Sequence, residues 1–353
     1  SLFTAIFITR MLVENHISKS KLLNFSTSLT KNWLSNIGIS FLIKRRISYV
    51  VSGTFIIIGL SSLFINGLNQ GVDFVGGRSY VVRFEQPVSQ EKIQSNLIKV
   101  LGNAEVKTFG SDNQLKITTN YKVDIDSSDI DDEINNILYT DLIEFMPENI
   151  AYEDFVVNGD ENKQAGIMSS IKVGPTIADD IKKNSFYAVF GSLIIVFLYI
   201  LLRFKNWQFS LGAVSAVFHD VLVVLGIFSL TYSFMPFNME INQAFIAAIL
   251  TVIGYSLNDT VVVFDRIREY INEHSNWEFK ATVDSALNST LSRTLNTSLT
   301  TLIVLISIFV FGGESIRGFM FALIVGVLVG TYSSVFIATP VMYDSLKINS
   351  QNK

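Results

Sequence analysis

Six apolar runs, each long enough to cross a bilayer, restrict the fold of this chain more than any other feature. They lie at about 47–65, 185–202, 209–234, 241–264, 294–311 and 316–343. Roughly 20 such residues cross the hydrocarbon core as a helix. Backbone polar groups find no water there, so a spanning run must satisfy its own hydrogen bonds. A shorter stretch, 1–13 (SLFTAIFITRMLV), reads as the end of a further span. It lacks a basic region followed by a cleavage site and does not read as a signal peptide. The simplest expectation is that the chain is cut, processed or engineered from something longer.

Composition agrees and excludes several kinds of chemistry. Of 353 residues, 49% are hydrophobic and 16% charged, where a soluble domain carries about 25% charged residues. There is no Cys, so no disulfide, thiolate-held metal or thiol nucleophile is available. The three His residues, His16, His219 and His274, are too scattered for a His-rich metal site. A net charge of −4 removes a basic nucleic-acid binder. No cofactor and no metal are expected, and no enzyme chemistry is visible.

The charge is unevenly distributed. Residues 66–184 hold 20 of the 31 acidic and 11 of the 27 basic residues, a net of −9, leaving +5 for the rest. That block reads as a water-facing domain inserted after the first full span. Lys and Arg in short loops mark the cytoplasmic side. Lys44, Arg45 and Arg46 precede the first span, Arg203 and Lys205 lie between the second and third, and Arg266, Arg268, Lys280 and Arg293 between the fourth and fifth. The opposite loops, 235–240 and 312–315, contain no Lys or Arg. The block at 66–184 is therefore expected to be periplasmic.

Within the block, Ser79–Glu85, Glu105–Phe109, Gln114–Thr119 and a segment inside Gly166–Val173 alternate like strands. Ser89–Leu101 and Ser127–Met146 read as amphipathic helices, the first capped by Ser89 and the second with acids in its first turn. The order βαββαβ suggests a ferredoxin-like sandwich. Gly174 and Pro175 then start a helix, Pro being favourable at the first helical position. It is expected to run unbroken into the second span.

An ionisable residue within a span is a functional hypothesis by default. Asp259 leads: with Thr251, Tyr255 and Asn258 it forms a polar stripe on the fourth span. Arg293, Asn296, Thr297 and Thr300 form a second stripe on the fifth. A hairpin joins the two helices, so pairing of Asp259 with Arg293 is expected. The plainer alternative is that Asp259 snorkels or merely pins the helices. His219 in the third span suits either an interhelical hydrogen bond or a proton relay. Asp220 points about 100° away from it on a helix, so the two need not act together. Gly318, Ala322, Gly326, Gly330, Ser334 and Ala338 recur every four residues and read as a packing ridge. Gly71–Gly77 lacks the phosphate-loop pattern and is no nucleotide site.

Several of these segments together resemble the SecF family. They are GVDFVGG (71–77), KVGPTIADD (172–180), His219-Asp220-Val221, GYSLNDTVVVFDRIRE (254–269), NSTLSRTLNTSLTT (288–301) and FGG…FMFALIVGVLVGTYSSVFIATP (311–340). They cover roughly 47–344 in order and spacing. One departure is TIADD at 176–180, where many members have Gly after the Ile. The opening 13 residues look like the end of the last SecD helix, so the chain resembles the C-terminal half of a fused SecDF protein.

The resemblance implies a polytopic helical membrane protein, half of a resistance–nodulation–division architecture. It would have six full spans and one partial, with an inserted α+β ferredoxin-like periplasmic domain. The implied division is a SecD-like helix end at 1–13, a cytoplasmic linker at 14–46 and a first span at 47–65. The periplasmic domain and connector at 66–184, five spans within 185–344 and a tail at 345–353 follow.

The implied role is proton-driven assistance to Sec-dependent export across the inner membrane, after the ATPase SecA has acted. Asp259 and Arg293 would couple to protons, with His219, Asn258 and Thr297 as relay or hydrogen-bonding residues. Asp73, Gly76, Gly77, Gly174 and Pro175 would position the periplasmic domain. Implied partners are a SecD-like half, the SecYEG channel, unfolded preprotein, YajC and YidC, with SecA at one remove. A proton-coupled small-molecule efflux transporter of the same superfamily and a non-transporting scaffold remain the alternatives.

Overall fold

The computed structural model describes residues 3–19, 38–125, 127–148, 150–157 and 163–351. Residues 1–39 and 40–353 form two units. In the first, a π-helical turn at Phe3–Ile8 leads into α1 (Thr9–Ser18). Helix thus extends to Ser18, past the boundary expected at 13. Residues 20–37 of the expected linker lie outside the described residues.

The second unit begins where the rest of that linker packs down. Phe41 and Leu42 are buried, and the Leu42 amide donates to Asp284 Oδ1 at 3.0 Å. α2 (Arg45–Ile65) follows as the first span. The others are α7 (Pro175–Phe204), α8 (Trp207–Thr231), α9 (Gln243–Glu273), α10 (Phe279–Phe311) and α11 (Glu314–Ser333). α11 passes through a π-helical turn, Ser334–Ala338, into α12 (Thr339–Gln351). All six expected runs are therefore helical, and four of the six spans are 30 residues or longer. α8 is the most buried of the six spans and α10 the least.

Small residues let the helices meet at backbone distance. A Cβ on Gly226 of α8 would stand 2.7 Å from the Gly59 Cα of α2. On α11, Gly326 faces Val252 and Gly330 faces Ser256, both on α9. The middle of the four-residue ridge thus packs against α9, while Gly318 meets Asn238 of the α8–α9 loop and Ala338 meets Gly212 of α8.

Between α2 and α7 the chain makes a short helical turn, α3 (Val72–Val75), and then a sheet domain. Its elements are β1 (Gly77–Arg83), α4 (Gln90–Leu101), β2 (Glu105–Phe109), β3 (Ser111–Thr119), α5 (Ser128–Leu142), α6 (Tyr152–Val156) and β4 (Gly166–Val173). The four strands are antiparallel in the order β2-β3-β1-β4, the ferredoxin-like arrangement. Ser89 caps α4, accepting from the Lys92 amide. One face of the sheet and the apolar stripes of α4 and α5 close over a core of Val82, Phe84, Leu97, Ile117, Ile134 and Leu138. Helix α6, which places Phe155 in that core, has no periodic signal long enough to read from the sequence.

Candidate functional site

Two places in the second unit bring functional side chains together: the junction between the sheet domain and the bundle, and the middle of the bundle.

The junction is built from backbone as much as from side chains. The Gly71 amide donates to the Ile241 carbonyl at 2.9 Å, and the Ile241 amide to the Asn69 carbonyl at 2.7 Å. Asp73 Oδ2 accepts from the Gln243 amide at 3.0 Å, and Asn242 Oδ1 from Phe245. Two side chains from separate segments therefore cap α9, satisfying amides that a helix start leaves free. Gly76 and Gly77 have φ of +75° and +133°, conformations that suit glycine. A Cβ on Gly77 would lie 2.7 Å from the Thr119 carbonyl oxygen. Gly174 is the N-cap of α7 and Pro175 its first residue, packed beside Gly76. Lys116 of β3 pairs with Glu240 in the α8–α9 loop, both largely buried. All five residues expected to position the domain thus meet at one seam.

In the bundle, Asp259 is 1% exposed. Ser298 of α10 lies 3.5 Å from its Oδ2, and Ser298 also shares a 2.6 Å hydrogen bond with Thr331 of α11. Tyr255 Oη reaches toward Ser298 and Thr301 at 3.5 and 3.4 Å. The carboxylate thus stands at the meeting of α9, α10 and α11.

The expected partnership with Arg293 takes a different form. Among the described residues the two form no ion pair within 4.0 Å. Arg293 lies on the exposed side of α10, which begins at Phe279 and so places Arg293 mid-helix. Asn258 is also exposed, and Thr297 donates to the Arg293 carbonyl of its own helix at 3.0 Å. Neither joins the hydrogen bonds around Asp259. The Arg293 stripe of α10 faces largely outward, and Ser298, just off it, with Thr331 of α11, supplies the groups beside Asp259.

His219 Nδ1 lies 3.0 Å from Asp220 Oδ1. Asp220 also accepts from Ser256 at 2.6 Å and Ser333 at 2.8 Å, and it is 0% exposed. The 100° between successive residues is offset by side chains that bend toward one another.

Comparison with known proteins decides the family. The model for "Protein export membrane protein SecD/SecF, C-terminal" matches residues 155–347, and that for the "SecD/SecF GG Motif" matches 61–88. The chain is 43% identical to a protein translocase subunit SecF from Rhodothermus marinus, covering 88% of this chain and 94% of that protein. It belongs to the SecF family. A SecF from Thermodesulfovibrio yellowstonii is 36% identical over 88% of this chain and 95% of its own length. A crystal structure of SecDF from Thermus thermophilus, a translocon-associated membrane protein, superposes with a TM-score of 0.78 at 27% identity. It covers 98% of this chain, which spans 43% of that longer one. SecDF in its super-membrane-facing form gives a TM-score of 0.67 over 99% of this chain and 44% of that one, at 27% identity.

The SecF chain is therefore an inner-membrane accessory subunit of Sec protein translocation, with the sheet domain on the periplasmic side. The glycines of the GG segment are the residues that fit the seam described above.

Proposed function

We propose that this SecF chain uses a proton gradient to promote late steps of protein export, with Asp259 as the residue that takes up and releases the proton. The observation that carries the reading is a carboxyl group buried where three helices meet, next to hydroxyls that can pass or accept a hydrogen bond. Loading a proton there removes a charge from a low-dielectric site and changes what holds the helices together. The resulting shift reaches the periplasmic domain, residues 66–184, through α7 and the capped start of α9.

Partners follow from exposed polarity. Asn258 on α9 and Arg293, Asn296 and Thr300 on α10 are exposed on helices that cross the membrane. Asn258, Asn296 and Thr300 lie within the expected spans and Arg293 at the edge of one, and polar groups inside the hydrocarbon are costly against lipid and belong against protein or water. A SecD-like half fits this face, and Arg293 then acts across the interface rather than as the direct partner of Asp259. The acidic domain would hold unfolded preprotein leaving SecYEG, with YajC, YidC and SecA as further members of the assembly.

Asp259→Asn tests the reading. Export into inverted vesicles loses its dependence on the proton gradient while association with SecYEG persists. Gradient-dependent export by the variant overturns it, and unimpaired export favours a scaffold.

A further inference from the structure

We propose that Asp220 is a second proton-exchanging carboxyl group of the bundle, and that Ser333 conveys its state to the π-helical turn of α11. The proposal rests on the proton-coupled reading above and extends it to a residue outside the Asp259 cluster.

Asp220 is the fourteenth of the 25 residues of α8, so it sits near mid-membrane. It binds three helices at once: His219 on its own helix, Ser256 on α9 and Ser333 on α11. An ionised carboxylate only accepts hydrogen bonds, whereas the neutral acid must also donate one. Ser333 is equipped for both states. Its single hydroxyl hydrogen has two acceptors in reach, Asp220 Oδ2 at 2.8 Å and the Gly330 carbonyl at 3.2 Å. With Asp220 ionised, Ser333 donates to it. With Asp220 protonated, the acid hydrogen goes to Ser333 Oγ and the Ser333 hydrogen turns to Gly330. The added proton comes from solution, and no heavy atom need travel.

Gly330 is a sensitive place to end that exchange. Its carbonyl also accepts the backbone amide of Ser334, the first residue of the π-helical turn Ser334–Ala338. A second donor at that oxygen competes with the bond closing the last ordinary turn of α11. Single π turns inside α-helices occur often at functional positions.

Asp220 bonds α9 and α11 directly, whereas Asp259, itself on α9, bonds Ser298 of α10 and reaches α11 only through it. Ser256 lies three residues before Asp259 on α9. Thr331, hydrogen-bonded to Ser298 beside Asp259, lies two residues before Ser333 on α11. Ionisable groups on the elements packed around Asp220 are few. His219 accompanies it on α8, and α9 carries Tyr255 and Asp259, with Asp265, Arg266, Arg268, Glu269, Tyr270 and Glu273 toward its cytoplasmic end. α11 offers Tyr332 between Arg317 and the start of α12. α2 offers Tyr49 beyond Arg45 and Arg46, and α12 offers Tyr343 and Asp344. The charges of α7 lie at its two ends, with Tyr187 and Tyr199 between them.

Infrared difference spectroscopy of the full chain in lipid nanodiscs, titrated with pH, tests the proposal. Beyond the overlapping absorption of the water-exposed acids, the expected result is two further carboxylic C=O bands, one lost in Asp220→Asn and the other in Asp259→Asn. Ser333→Ala displaces the midpoint of the Asp220 band by about one pH unit, the worth of one charge-assisted hydrogen bond. A spectrum unchanged by Asp220→Asn overturns the proposal. So does a Ser333→Ala titration that superposes on the unsubstituted one, which decides the matter if Asp220→Asn does not fold. Gradient-dependent export by Asp259→Asn would instead refute the proton-coupled reading and leave the Asp220 band in place.

Discussion

Lys116 of the periplasmic sheet and Glu240 of the α8–α9 loop form an ion pair in which the side chains are 14% and 6% exposed. Removing one partner of a pair this buried strands the other charge and costs about 3 kcal/mol. Lys116→Ala therefore loosens the seam. Hydrogen exchange should quicken by about tenfold or more at the amides of Gly71, Ile241 and Gln243. The double substitution Lys116→Glu with Glu240→Lys should recover much of the protection. Exchange unaltered by the single change would show that the backbone bonds suffice.

Ser298 and Thr297 are adjacent, yet only Ser298 approaches Asp259. Ser298→Ala should move the pH profile of gradient-driven export, whereas Thr297→Ala should leave it in place. An equal effect of both would place the relevant groups on the outward stripe.

Asp131 ties α5 to the sheet, accepting from buried Arg78 at 2.5 Å and from Lys172 at 3.0 Å. Burial alone would push its carboxyl up, but the hydrogen bonds and charges of Arg78 and Lys172 outweigh this and hold it below the ordinary value. A depressed native value adds stability above the ordinary carboxylate range and loses it as pH falls through the native value. Asp131→Asn should lower domain stability at neutral pH and flatten its decline in acid. Amide exchange within β1 and α5, followed against pH, checks both.

Gly226→Ala tests the α2–α8 crossing. The new methyl would meet the Gly59 backbone, and forcing it in costs about 1–3 kcal/mol. The midpoint of thermal unfolding should fall, with the greatest loss of exchange protection in α2. Gly254→Ala, with open space around its Cα, serves as the control.

How far the sequence discloses this arrangement depends on the length and kind of signal. The spans are legible because membrane crossing needs long apolar runs, and the sandwich because its strands alternate between turns. Asp259 is legible because an acid in such a run is rare. Its surroundings are not. Helical periodicity places Arg293 on a stripe but does not say which way the stripe faces. The serines at 256, 298 and 333 look like any small residues of a membrane helix until tertiary packing aims them at a carboxylate. The Phe41–Leu42 anchor escapes notice for another reason: two apolar residues have no period.

One consequence of α7 concerns the range of motion it can transmit. Its 30 residues form one continuous helix from the Gly174 cap to Phe204, a rod of about 45 Å. Arg203, near its foot, is held to Asp265 of α9 at 2.6 Å. A rotation of about 10° about that foot would carry the far end through about 8 Å. A rotation of that size would amount, at the periplasmic end, to about two residues of extended polypeptide.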